Sequence, residues 1–202
     1  MSRFTRKENN KKLRKVIRIY TEGQKTEPNY FNSIKDELRL PEIDIKVHGC
    51  GDHTMPLVEW VIERKNNENT GEETEWWVVF DRDEHTEFNN AISLARSNSI
   101  SVAYSNECFE LWFILHFNLL STAIGRGQYY KKLTELLDVK YEKNSSDIYE
   151  LIKEKEATAI LNAKNLEKTH NDEGVESPEK RDPSTLVYQL VEKLRALKAD
   201  AQ

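Results

Sequence analysis

The sequence predicts an α/β protein with a mostly parallel sheet that is flanked by helices and followed by a helical C-terminal part. Three observations support this prediction. Four segments with strand character alternate with helical segments over the first half of the chain, one of these strands is a nearly continuous apolar run, and the second half carries helical patterns. Strand–helix alternation is typical of parallel sheets with right-handed crossovers.

The four predicted strands differ in character. Lys15–Thr21 and residues 43–48 alternate apolar and polar positions and are rich in β-branched residues, as strands are. Residues 76–80 (WWVVF) form an apolar run of the kind expected in a central parallel strand that is buried on both faces. Residues 100–104 form the fourth strand.

Helical apolar stripes follow the first three strands and dominate the second half of the chain. The predicted helices cover residues 26–38, 55–64, 86–97, 109–117, 129–137, 147–168 and 185–197, and the last of them follows an Asp182-Pro183-Ser184 start signal. The sequence therefore predicts three parts: a basic N-terminal arm (1–14), an α/β core (15–106) and a helical part packed on that core (107–202).

Composition narrows the class of protein. No apolar stretch approaches the ~20 residues that cross a bilayer, and the basic N-terminus lacks the apolar region of a secretory signal. Only two cysteines, Cys50 and Cys108, are present, which is too few for a disulfide framework or a zinc site. These features predict a cytoplasmic protein with no membrane partner.

Charge is unevenly distributed along the chain. The whole sequence has a formal net charge of −5, but residues 1–18 carry +7, which leaves −12 for the remainder. A basic arm on an acidic body can reach phosphate backbones while the body holds cations. The alternative is a solvated tail with no binding role. The candidate nucleic-acid contacts in the arm are Arg6, Lys7, Lys11, Lys12 and Arg14.

Three carboxylates fall at predicted strand ends. Glu22 follows the first strand, whereas Asp81 and Asp83 follow the third. Ligands of open α/β sheets bind at the carboxyl ends of strands, and in a flavodoxin-like strand order the first and third strands are neighbours. Grouped carboxylates require a cation, and Mg²⁺, for which Mn²⁺ can substitute, prefers such oxygen ligands. We therefore expect a catalytic Mg²⁺ site.

Three nearby residues have alternative interpretations. Glu84 is a further candidate metal ligand, or a charge favoured at a helix N-terminus. Glu110, in an otherwise apolar helix, is either a further ligand or part of a structural salt bridge. Lys25 is either a phosphate contact or a solvated loop residue.

Four motifs resemble a known family. They are TEGQKTEPNYF (21–31), DRDEH (81–85), SNECFELWFILHF (105–117) and PSTLVYQLVEKL (183–194). The first two resemble the Toprim domain of topoisomerases, primases and OLD-type nucleases, and all four together resemble RloB-like proteins of the AbiL abortive-infection type. Glu107 departs from the pattern, since proline is expected there.

The resemblance implies a Toprim-like core over residues 15–106 and an Mg²⁺-dependent endonuclease that cleaves DNA or RNA in anti-phage defence. It implies metal binding by Asp81 and Asp83, and a metal or acid–base role for Glu22. It also implies a partner ABC-type ATPase, and the sequence itself contains no G-x-x-x-x-G-K-[ST] phosphate-binding loop. Homo-oligomer formation is left open.

Two other functions compete with this one. A phosphohydrolase of the haloacid dehalogenase kind would use a D-x-D at a strand end as nucleophile and acid–base, but it gives Glu22 no role and usually places the motif after the first strand. A non-catalytic regulatory subunit would bind nucleic acid through the arm and dock an ATPase. It would have no need of three grouped carboxylates.

Overall fold

The computed structural model describes residues 15–51, 53–68, 73–83 and 86–200. Its centre is a single five-stranded sheet in the order β2-β1-β3-β4-β5. The first four strands are parallel, and β5 runs antiparallel to β4. The strands are β1 (Lys15–Thr21), β2 (Ile43–Gly49), β3 (Glu73–Asp81), β4 (Ser101–Asn106) and β5 (Ser184–Thr185).

Eight α-helices surround this sheet in the described part of the chain. They are α1 (Thr26–Leu38), α2 (Thr54–Asn67), α3 (Phe88–Ser97), α4 (Glu110–Leu115), α5 (Arg126–Leu137), α6 (Ile148–Ile152), α7 (Glu156–Asp172) and α8 (Val187–Asp200). None of them combines the length and the apolar character that a bilayer-spanning segment requires.

The central strands are the most apolar, because helices cover both faces of the sheet. All positions of β1 after Lys15 are buried, and so are the five residues of β3 that precede Asp81. Helix α2 packs on β1, β3 and α3, whereas α1 packs on β2, α6 and α8. The predicted α/β fold with a mostly parallel, helix-flanked sheet is therefore confirmed.

The C-terminal part contributes to the sheet as well as covering it. Ser184 and Thr185, which the sequence pattern assigns to the start of the last helix, pair with β4 instead, so that assignment is wrong. The Thr185 hydroxyl lies 3.0 Å from the Ser105 hydroxyl, and Leu186 N donates to Tyr104 O at 2.8 Å. These contacts bridge some 80 residues of sequence, so local periodicity does not reveal them.

Two other boundaries differ from the predicted ones. The single helix predicted over residues 147–168 is two helices, α6 and α7, separated by the 3₁₀ turn Lys153–Lys155. The third strand begins three residues earlier than predicted, at Glu73, because Glu73, Thr74 and Glu75 pair with the start of β1. Lys15 also forms an ion pair with Glu75 at 3.2 Å.

Candidate functional site

The strand order places β1 and β3 side by side, and the chain leaves the sheet in different directions from β1 and β3. This is the topological switch point at which ligands of open α/β sheets bind. Glu22 follows β1 directly: its backbone N donates to Val79 O of β3 at 2.9 Å, and its carbonyl accepts from Gly51 N at 2.9 Å. The backbone of Glu22 is thus fixed to both neighbouring strands.

The loop from β1 to α1 folds tightly over this strand end. The Thr21 hydroxyl donates to Gly23 O at 2.7 Å, which closes the turn. A Cβ at position 23 would overlap the Glu27 carboxylate, so a larger residue there would require the Glu27 side chain to move. Helix α1 begins at Thr26, with Lys25 and not Thr26 at its N-cap position. Glu27 therefore lies in the first turn, with its carboxylate folded back against Gly23.

Asp81 is the last residue of β3, and the chain remains tied to β4 beyond it. Arg82 N donates to Ser105 O at 2.8 Å, and Asp83 N donates to Glu107 O at 3.4 Å. Asp83 has a φ of 43°, in the left-handed region that aspartate tolerates better than most residues. Glu107, where the family resemblance predicts proline, follows a cis peptide bond.

Two further carboxylates approach Asp81 from helix N-termini. Glu27 of α1 is 6% exposed, and Glu110, the first residue of α4, is 2% exposed. The Glu110 carboxylate accepts a hydrogen bond from the Tyr141 hydroxyl at 3.0 Å. Glu22 is held in a similar way, because the hydroxyl of Thr54, at the start of α2, donates to its Oε2 at 3.2 Å. Glu22, Glu27 and Glu110 are thus held near enough to Asp81 for their charges to act on it.

These carboxylates interact electrostatically. Burial raises the pKa of Asp81 well above its usual range, and the negative charges of Glu27, Glu110 and Glu22 raise it further. Burial likewise raises the pKa of Glu27 to about 7, with Glu110 and Glu22 adding to the shift and Lys143 opposing it. The site therefore favours either bound protons or a bound cation.

One arginine already contacts this acidic group. Arg126, the first residue of α5, forms an ion pair with Oδ1 of Asp83, and its Nη2 lies 3.8 Å from Oδ2 of Asp81. The arginine side chain is 39% exposed, so the ion pair is partly solvated. Asp81 Oδ1 is buried and has no hydrogen-bond partner among the described residues.

The donor set suits a hard divalent cation. It consists of carboxylate oxygens, which Mg²⁺ prefers, and no described residue hydrogen-bonds the buried Asp81 Oδ1. In residues 15–51, 53–68, 73–83 and 86–200, no three His, Cys, Asp or Glu side chains are already arranged around one metal position. Asp83 Oδ1 already contacts Arg126, so a metal ion that binds this oxygen would have to replace that contact.

The structure groups some of the predicted site residues and leaves others apart. Glu22, Asp81 and Glu110 lie together, Asp83 adjoins them through Arg126, and Lys25 is exposed on the adjacent loop. Glu84 lies outside the described residues. So do the predicted nucleic-acid contacts of the arm, which are Arg6, Lys7, Lys11, Lys12 and Arg14.

Sequence reasoning missed two members of the cluster. Glu27 stands inside the TEGQKTEPNYF motif, but an acidic residue in the first turn of a helix is ordinary. Arg126 lies between two glycines in a segment with no motif, and its partner Asp83 is 43 residues away. The signal for Glu27 was its place five residues after Glu22. The sequence held no comparable signal for Arg126.

The fold and the site define a class, namely an open parallel α/β protein with a carboxylate cluster at its switch point. The chain belongs to the RloB-like protein family, whose sequence model matches residues 17–194. The match includes every carboxylate described above as well as Arg126, but not the basic arm. Comparison with curated proteins and with solved structures found no match.

Proposed function

We propose that this protein is an Mg²⁺-dependent, Toprim-type endonuclease that cleaves phosphodiester bonds of DNA or RNA. The observation that carries the proposal is the convergence of Glu22, Asp81, Glu27 and Glu110 at the carboxyl ends of neighbouring strands. Arg126 neutralises this acidic group only in part, and Asp81 Oδ1 lacks a hydrogen-bond partner among the described residues. Buried groups of this kind are typical of ligand sites.

In this proposal Glu22, Asp81 and Asp83 hold the metal, and Glu110 is a further candidate ligand. Bound Mg²⁺ would supply polarisation of the phosphoryl group and a water of lowered pKa. The protein side chains supply geometry. Thr54 orients Glu22, Tyr141 orients Glu110, and the contacts of residues 82 and 83 with the end of β4 hold Asp81 and Asp83.

Family membership supports a defence-related setting for this chemistry. We propose that the protein acts in anti-phage defence in the cytoplasm, together with an ABC-type ATPase that restrains it until infection is sensed. The sequence contains no phosphate-binding loop of its own, so nucleotide hydrolysis would come from that partner. Co-purification from the native host, with activity measured alone and in the complex, tests this pairing.

A cleavage assay tests the proposed chemistry. Purified protein is incubated with DNA, with total RNA and with the generic phosphodiester bis(p-nitrophenyl) phosphate, in Mg²⁺, in Mn²⁺ and in EDTA. Asp81→Asn keeps the side-chain shape and removes a charge from the cluster. Asp44→Asn is the matched control. Asp44 lies near the start of β2, at the opposite end of the strands from the site, and it pairs with Lys46 at 3.2 Å.

We expect metal-dependent cleavage that Asp81→Asn reduces at least about 100-fold, the usual effect of removing one essential group, and that Asp44→Asn leaves intact. Cleavage in EDTA, or cleavage that survives Asp81→Asn, would contradict the proposal. Hydrolysis of phosphomonoesters alone would favour the haloacid dehalogenase alternative. Metal-independent nucleic-acid binding with no cleavage, alone or with the ATPase, would favour the regulatory subunit.

A further inference from the structure

Arg126 differs from the structural Arg195 in how many of its donors are satisfied. Arg195 uses Nε, Nη1 and Nη2 to contact Glu156, Glu37 and the Tyr149 hydroxyl at 2.8–2.9 Å. Arg126 contacts carboxylates through Nη2 only, and its buried Nε has no acceptor among the described residues. A guanidinium with an unused donor retains the capacity to bind a further anion.

The backbone of Arg126 is fixed, whereas its side chain is partly solvated. Gly125 O accepts from Gln128 N at 2.8 Å, and Gly125 N donates to the Gln128 side chain at 3.1 Å, so the first turn of α5 is closed. A Cβ added at Gly125 or Gly127 would meet no atom within 4 Å, so this turn is uncrowded. The Arg126 side chain is 39% exposed, so it can change rotamer towards solvent without disturbing the helix.

The position of Arg126 places it in competition with a metal ion. Its guanidinium is bonded to Asp83 Oδ1 and stands 3.8 Å from Asp81 Oδ2, the carboxylates assigned to the metal. A cation bound to these oxygens would repel the guanidinium and displace it. The nearest anion that it could then meet is a phosphate group brought to the same site, which guanidinium groups bind through two parallel hydrogen bonds.

We propose that Arg126 and the divalent metal compete for Asp83, and that the displaced guanidinium contacts a non-bridging phosphate oxygen of the substrate. The inference rests on the proposed function, because it takes the carboxylates to be the metal site and a phosphodiester to be the substrate. Arg126 is then a positioning residue for the substrate, and it also keeps the acidic group partly neutralised before metal binds.

Two measurements on the same variants test this inference. Mg²⁺ affinity is measured by isothermal titration calorimetry, and hydrolysis of bis(p-nitrophenyl) phosphate is followed at saturating Mg²⁺. Arg126→Ala removes the competing charge, whereas Arg126→Lys retains it without the paired donors. Arg96→Ala is the matched control. Arg96 is exposed in the last turn of α3, which lies near the amino-terminal ends of the parallel strands, away from the site. Thermal melts verify that each variant is folded.

We expect opposite effects on the two readouts. Arg126→Ala should bind Mg²⁺ about two- to fivefold more tightly, as expected for loss of a partly exposed ion pair, and should hydrolyse the diester about 100-fold more slowly. Arg126→Lys should keep roughly the wild-type affinity for Mg²⁺ and recover part of the rate. Arg96→Ala should change neither quantity.

Unchanged or weaker Mg²⁺ binding by Arg126→Ala would overturn the competition. Unchanged hydrolysis by the same variant would overturn the phosphate contact. These failures are distinct from failure of the proposed function, which would appear as wild-type protein that binds no Mg²⁺ and hydrolyses no diester. In that case the competition is refuted as well, unless Arg126→Ala alone gains Mg²⁺ binding, which would support it directly.

Discussion

Replacing Glu27 with glutamine should stabilise the metal-free protein at high pH. The carboxylate is 6% exposed and faces Glu22, Glu110 and Asp81, with Lys143 as the opposing charge. Its pKa is raised from 4.5 to about 7, so the folded protein holds the proton more tightly than the unfolded chain does. The stabilisation from the protonated form is therefore complete below pH 4.5 and is lost as the pH rises through about 7.

The expected change in unfolding free energy follows from the pKa shift of Glu27. A difference of about 2.5 pH units corresponds to about 3 kcal/mol of unfolding free energy, at about 1.4 kcal/mol per unit. Glutamine does not titrate. At pH 8, in EDTA, Glu27→Gln should thus exceed the wild type in stability by up to about 3 kcal/mol, and at pH 5 the difference should shrink to within about 1 kcal/mol. Added Mg²⁺ should stabilise the wild type more than the variant.

Urea denaturation followed by tryptophan fluorescence, at pH 5, 6.5 and 8, measures these differences. Glu59→Gln is the matched control, because Glu59 is exposed on α2 and its loss removes one surface charge only. Groups that are remote from Glu27 cancel when variant and wild type are compared at the same pH, whereas Asp81, whose pKa Glu27 raises, does not. A Glu27→Gln protein that is less stable than the wild type at pH 8 in EDTA would refute the electrostatic reasoning.

Three further predictions concern other parts of the molecule. Asp83→Asn should weaken Mg²⁺ binding and abolish most cleavage while costing at most about 1 kcal/mol of stability, because its ion pair with Arg126 is partly exposed; calorimetry, a cleavage assay and melts check this. Burial holds the pKa of His116 at about 4, so its neutral form stabilises the fold above pH 6.5 and about 3 kcal/mol is lost as the pH falls through 4. His116→Gln should therefore lose less stability than the wild type between pH 7 and pH 4 in urea titrations. Neutralising the Lys and Arg residues of positions 3–15 should weaken nucleic-acid binding and flatten its dependence on salt; an unchanged salt slope in fluorescence anisotropy would show that the arm makes no phosphate contacts.

Local sequence patterns predicted the long, buried strands of the sheet. The first strand matches its prediction from Lys15 to Thr21, because alternating β-branched residues specify both its extent and its buried faces. The sequence did not specify the strand order, and the flavodoxin-like order with β1 beside β3 was an assumption. The structure confirms that order. By contrast, β5 has two residues, and its existence depends on pairing with Ser105 and Asn106. No periodicity can be read from so short a segment.

The candidate site was predictable where its residues end strands. Glu22 directly follows β1 and Asp81 is the last residue of β3. The topology alone therefore brings both residues to the carboxyl ends of neighbouring strands. Glu27 and Arg126 reach the same place from α1 and α5, and their role depends on helix packing that spacing does not specify. The sequence patterns thus predicted the strand-end carboxylates but not Glu27 and Arg126, which change the charge around them.

The contrast between two charged groups in this protein bears on the assignment of function. Where Arg195 joins α8 to α1 and α7, the paired carboxylates of Glu37 and Glu156 have their acceptors filled by a guanidinium whose donors are also used. At the ends of β1 and β3, the described residues give Asp81 Oδ1 no hydrogen-bond partner, and burial together with mutual repulsion raises the pKa of Asp81 and of Glu27. Buried carboxylates that repel one another oppose folding, so a purely structural role does not account for their being grouped there. The proposed binding of a cation and a phosphate would account for this grouping, because these ligands would complete the charge balance of the described residues.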